Sequence, residues 1–508
     1  WLKIAIFAAQ GEGDLLWFPM VTPKKAPYRS LWSFSLVPAC SNFSIQYNYA
    51  CASIAVAIML SHNDYTTPSL VADYPEPQWA QDFLLGIVFI GSVVGMLVMG
   101  YLGDFLGIGP ALVFANALVV VGGLASAFLS WGSPQAVWRS IALGRFVLGA
   151  GVGGNYPLSA AKAAGSASAS PEDAVARTAS AFFWQAPGAC APYLVALGLL
   201  RLPHVDGVTS VQFRTLFAIG AAPALVVLIA SLCDMRKPTV ASPASSTRGG
   251  HLSEALRDVQ HWRTLVGTAG TWFLFDVAFY GTVIFTPTIL EKVFGAKQSL
   301  GSLAWRAAFM SVLGILGNAA GLLALPRVGA KAMNTAGLAC GGILFVICML
   351  VFEFRPAWHG TIFFVLCLLF FVLYSGPNVA TFVLPVISYP SEVRSTFHGL
   401  SAAAAKIGAM AGSLLFPVID DALGTTAVMA TQALICAAGA LLSHYCLRSC
   451  PEAAASQAPC AKDTELELAA TVGHSGADTD TAETTDAPQA DERTRKSDRK
   501  IERQKLVQ

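Results

Sequence analysis

With 508 residues, 55% of them hydrophobic and 12% charged, the chain carries too little charge for a soluble globular protein, where about a quarter of residues are charged. Mean hydropathy is +0.57, and a net charge of +1 gives no case for nucleic-acid binding, which needs a clustered basic face. The eleven cysteines lie mostly in apolar runs without metal-type pairing, so they read as small buried hydrophobes rather than a disulfide or zinc framework.

The opening "WLKIAIFAAQ" is too short to cross a bilayer, and no cleavable signal is read in it. A membrane span needs about 20 apolar residues, and the sequence offers twelve candidates. Six lie near 34–60, 83–101, 110–131, 138–163, 177–200 and 213–233. Six more lie near 264–290, 303–324, 333–352, 358–385, 396–419 and 424–446. The expected organisation is an N-terminal segment (1–33), a six-helix half (34–233), a polar linker (234–263), a second six-helix half (264–447) and a polar tail (448–508). The tail lacks the apolar surface to fold alone and reads as disordered.

Lysine and arginine set the orientation. Lys24, Lys25 and Arg29 precede the first span, Arg236, Lys237, Arg248, Arg257 and Arg263 fill the linker, and Arg327 and Lys331 follow the eighth span. The first hairpin loop has neither residue type. Both termini and the linker are therefore expected in the cytoplasm, with the plasma membrane as the setting.

The halves echo each other. "QYNYACAS" in the first span parallels "LFDVAFYG" in the seventh, and "GYLGDFLGIGP" parallels "LPRVGAKA", as in transporters built from two parallel repeats. The loop after the second span resembles the signature of the major facilitator superfamily at Gly100, Gly103, Asp104 and Gly107; Ile108 and Gly109 stand where that family usually has basic residues. Arg145 in "LGRFVLGAG" matches a second superfamily motif. For Asp104 and Gly103 the reading is mainly structural, a tight turn with a helix cap, and Arg145 could snorkel or bond backbone carbonyls.

Ionisable residues inside spans are expected to face a cavity or a partner. Arg145, Asp276 and Lys406 are the ones present. Asp276 and Lys406, of opposite sign on the seventh and eleventh spans, read either as a structural ion pair or as a central wet site where Lys406 attracts an anion and Asp276 exchanges a proton. Trp272 and Tyr280 lie four residues to either side of Asp276 and share its helix face. Gln185 and Asn378 sit beside Gly or Pro, where loosened helices free backbone groups to line a cavity.

"GVGGNYPLSA", "FFWQAPG", "WFLFDVAFYG" and "GPNVATFVLP…YPSEVRSTFHGLSAAAAKIGA" resemble the phosphate:proton symporter family of the major facilitator superfamily, over residues 40–447. The resemblance implies an all-α membrane protein of twelve transmembrane helices in two six-helix halves. By position, Tyr156, Gln185, Trp272, Asp276, Tyr280, Asn378 and Lys406 fall where that family binds phosphate. Asn155 and Asn48 replace family aspartates at site positions, and Ile387 replaces an acid of the tenth span. An amide has donors and an acceptor but no charge at any pH, so Asp276 becomes the expected proton-coupling group. The expected partners are inorganic phosphate or a related anion, protons and the lipid bilayer, with no nucleic acid and no cofactor or metal. The alternatives are a carrier of another small solute or phosphorylated metabolite, with or without protons, and a non-transporting sensor acting through the tail. No nucleotide loop, metal-spaced cluster or nucleophile–base motif speaks for an enzyme.

Overall fold

A computed structural model describes residues 35–60, 74–75, 77–165, 170–203, 207–236, 252–294 and 300–447, without the side chains of 81, 82, 85, 171, 284–294, 300 and 303. The described residues all fall within one compact unit. The expectations for the N-terminal segment, for Lys237 and Arg248 and for the tail fall outside them.

The first half holds α1 (Leu36–Leu60), α2 (Ala80–Phe105), α3 (Ile108–Phe128), α4 (Pro134–Ala164), α5 (Pro171–Phe183), α6 (Gln185–Leu199) and α7 (Val208–Met235). The second holds α8 (Val259–Phe294), α9 (Leu300–Val328), α10 (Ala330–Phe354), α11 (His359–Leu373), a π turn (Tyr374–Asn378), α12 (Val379–Ser388), α13 (Arg394–Leu423) and α14 (Thr425–Cys446). Among the described residues, nine spans are long and apolar enough to cross a membrane, the π turn joining α11 and α12 into one. The other three expected spans are α4, the α5–α6 tandem and α8. α4 carries Arg139, Arg145, Asn155 and a run of glycines; the fifth span is split at Trp184. α8 begins at Val259, inside the stretch expected to be linker.

Sequence-local rules account for the helix ends. Ser133 and Ser170 cap α4 and α5 through their hydroxyls, each followed by a proline at the first helical position. Within the first half, α4 packs on α2 and α3, and α7 on α1 and α3; in the second, α13 and α14 pack on α8. α4's glycines explain its tight fit: Gly149 and Gly153 abut the α2 backbone, and Gly151 abuts α3. The halves meet where α13 crosses α2 and α4, where α12 meets α5, and where α9 lies along α6.

Candidate functional site

The site forms on the seam between the halves. Lys406 of α13 places Nζ 3.0 Å from Asp276 Oδ2 of α8, with side-chain exposures of 2% and 3%. It also donates to the Tyr280 hydroxyl at 2.9 Å. Tyr280 lies one turn beyond Asp276, so a single stripe of α8 supplies both acceptors. Three phenol rings surround the ammonium: Tyr280 at 4.3 Å, Tyr156 of α4 at 5.3 Å and Tyr49 of α1 at 5.6 Å. Cation–π contact favours such a position once water is excluded. The expected wet chamber is therefore closed over the cation in this state, because rings from both halves cover it. Tyr49 is fixed by its hydroxyl, 2.8 Å from Ser92 Oγ on α2.

Beside the cage, Trp272 stands 6.3 Å from Tyr156 and 6.3 Å from Phe382, and Phe182 completes the cluster at 4.7 Å from Phe382. His398, wholly buried, sets Nε2 3.1 Å from the Phe382 carbonyl and its ring perpendicular to Trp272.

An amide network approaches from the first half. Gln185, opening α6 after the break at Trp184, donates to Asn42 Oδ1 (2.8 Å) and accepts from Gln46 Nε2 (2.9 Å), which also reaches the Tyr156 hydroxyl at 3.5 Å. Asn378 ends the π turn, where Pro377 lacks an N–H and loosens the helical ladder; its amide donates to Asn318 Oδ1 at 3.1 Å. The sequence reading overlooked Asn42, Gln46 and Tyr49. Their spacing of four and then three residues puts them on one face of α1, a polar stripe that could have revealed them.

Other expected residues turn elsewhere. Asn155, wholly buried, exchanges two hydrogen bonds with Asn116 of α3, at 2.9 and 3.1 Å. Asn48 donates to the carbonyls of Ser44 and Gly220, each at 2.9 Å. Arg145 does not snorkel: it is wholly buried, donates to the Asn48 carbonyl and lies 5.5 Å from the Phe217 ring. The amide pair gives a double-mutant test. Asn155→Leu should destabilise the detergent-solubilised protein by about 1–3 kcal/mol, because the buried Asn116 Oδ1 loses its donor while Nδ2 keeps the Leu112 carbonyl. Adding Asn116→Leu should restore most of that in a thermal melt; strictly additive losses would deny the pairing.

At one end of the seam the Asp104 carboxylate accepts from the backbone N–H groups of Ser395 (3.1 Å) and Thr396 (2.7 Å), capping α13 across the halves. The negative charge also suits the helix N-terminus. Gly103 leaves room for Leu158 and Ser395, and Gly107 turns the chain into α3 at φ 100°. Asp104→Asn keeps an acceptor but loses the charge, so it should weaken closure at this end by about 1–2 kcal/mol. Spin-label distances between the ends of α2 and α13 should then broaden; an unchanged distribution would assign the cap no part in closure.

The Major Facilitator Superfamily model matches residues 39–402. The inorganic phosphate transporter PT2 of Toxoplasma gondii is 33% identical over 415 residues, covering 81% of this chain and 71% of that protein. The chain belongs to the major facilitator superfamily, within its phosphate transporter family. The low affinity inorganic phosphate transporter 4 of Petunia hybrida is 28% identical over 427 residues, covering 72% of this chain and 79% of that protein. Among solved structures, the proton:xylose symporter XylE superposes with a TM-score of 0.65 at 17% identity, over 83% of this chain and 96% of that one. FucP, in its outward conformation, gives 0.59 at 15% identity, over 82% and 100%. These two carry the fold alone: twelve transmembrane helices in two six-helix halves, with α5–α6 and α11–α12 each counting as one. This membrane transporter is an integral, multi-pass protein and not an enzyme.

Proposed function

We propose that this chain carries inorganic phosphate across the plasma membrane with protons, by alternating access, with both termini in the cytoplasm. The observation that carries the reading is the buried Lys406 ammonium, held by Asp276 and Tyr280 on the seam of the two halves. An oxyanion entering there takes over the ammonium's hydrogen bonds and displaces Asp276, while the tyrosine hydroxyls and Trp272 line the space around it. Displaced, the Asp276 carboxylate would be a buried unpaired charge, a costly state that a proton relieves. That links anion binding to protonation. The names of the relatives from Toxoplasma and Petunia support phosphate as the anion. The Asp104 cap supports rocking, since it joins the halves at one end and must break for that end to open.

Purified protein in proteoliposomes should accumulate radiolabelled phosphate, with sulfate and sugar phosphates competing poorly. A second reading, a phosphorylated metabolite as cargo, is motivated by the amides at Asn48 and Asn155 and by Ile108 and Gly109 in the Asp104 loop; strong competition by sugar phosphates would favour it. Measurable accumulation of any of these would reject a sensor that moves nothing.

A further inference from the structure

The charges of the membrane interior limit what one cycle can move. Among the described residues the buried carboxylates are Asp276 and Asp104. Asp104 is committed to two backbone N–H groups at the end of the seam. Around the pair the first half contributes amides (Asn42, Gln46, Gln185), phenols (Tyr49, Tyr156) and the Ser92 hydroxyl, and its buried Asn48, Asn116 and Asn155 are amides too, so among these described residues none is a carboxylate. Arg145 lies eleven positions before Tyr156 on α4, about 16 Å along the helix, and donates to the Asn48 carbonyl rather than to the Lys406 site.

Resting on the phosphate reading above, we infer that the carrier is electroneutral, moving one proton with one monovalent dihydrogen phosphate per cycle. The empty site holds Lys406 and Asp276 as an ion pair of zero net charge. To load, a proton joins the Asp276 carboxylate, forming the neutral acid, and the released ammonium pairs with the monovalent anion; the sum is again zero. On the other side the anion leaves, the acid gives up its proton and the pair re-forms. A proton alone, an anion alone or the divalent anion leaves a net charge in a sealed, low-dielectric seam, so these half-loaded forms do not cross.

The groups facing Asp276 leave the assignment to this one acid. α13 presents Lys406, with His398 screened behind the Trp272 indole and engaged by the Phe382 carbonyl. α1 and α4 present the phenols Tyr49 and Tyr156 to the same ammonium. The π turn after α11 offers Tyr374, which packs on Phe279; α12 offers the Phe382 ring. α14 offers Gln432, an amide bonded to Thr282 at 3.0 Å.

The experiment uses the full chain in proteoliposomes, with pH gradient and membrane potential set independently by buffers and potassium with valinomycin. Uptake should follow an acid-outside gradient, reaching about tenfold accumulation of the monovalent anion per pH unit, and should not respond to potential. Asp276→Asn should still exchange internal for external phosphate yet lose net uptake, because its empty site carries an uncancelled ammonium. Acceleration by an inside-negative potential would mean more than one proton per cycle and overturn the inference. Exchange without any response to the pH gradient would overturn it too, as would loss of that response in His398→Gln with Asp276 intact. Absence of both uptake and exchange would instead remove the phosphate reading itself, and the inference with it.

Discussion

Lys406→Ala should abolish phosphate uptake in proteoliposomes, a fall of two to three orders of magnitude. Removing one partner of a buried ion pair costs about 3–5 kcal/mol, and at this site the lost partner is also the proposed anchor of the anion. The variant leaves Asp276 without its 3.0 Å partner in a seam where it has almost no access to water. Part of the loss could thus come from a weakened fold, and a second variant separates the two effects. In Lys406→Ala with Asp276→Asn, no unpaired charge remains, so thermal stability should recover towards the parent while uptake stays absent. Uptake that returned together with stability would make the pair a structural brace and move the anion elsewhere.

Gly399→Val should act at a distance from the anion. Gly399 of α13 and Gly100 of α2 approach so closely that a Cβ on residue 399 would run into the Met96 carbonyl, with the Gly100 Cα 3.4 Å away. A Cβ on Gly100 would lie 2.7 Å from the Ser395 carbonyl oxygen. These neighbours are backbone and cannot rotate aside, so overpacking of about 1–3 kcal/mol must be relieved by parting the halves. We expect uptake to drop by about tenfold or more in a protein that still folds, with spin labels on α2 and α13 reporting a wider gap. Parent-like transport and an unchanged gap would mean that the helices need not touch here.

How much of this was readable beforehand depended on chemistry more than on position. Asp276 and Lys406 could be singled out because a charge in an apolar span is costly enough to demand a partner, and their opposite signs suggested each other. The break at Gln185 and the π turn ending at Asn378 were signalled by adjoining Gly and Pro. Asn155 was legible as unusual but not as paired. The rotation of α4 that turns its amide to Asn116, 39 residues away in sequence, is set by how Gly149, Gly151 and Gly153 seat on α2 and α3. Tyr49 was hidden for a related reason: a tyrosine in an apolar helix is ordinary until the helix opposite puts a cation beneath its ring.

The reciprocal bond between Asn116 and Asn155 also divides labour in a molecule whose two halves otherwise echo each other. Neither amide ionises, so a change of acidity leaves the α3–α4 hydrogen bonds in place. On the proposed coupling, sensitivity to acidity would fall to the opposite repeat, through Asp276 on α8. One repeat would then serve as an inert frame and its sibling as the titrating partner, an asymmetry of task laid over a symmetric architecture.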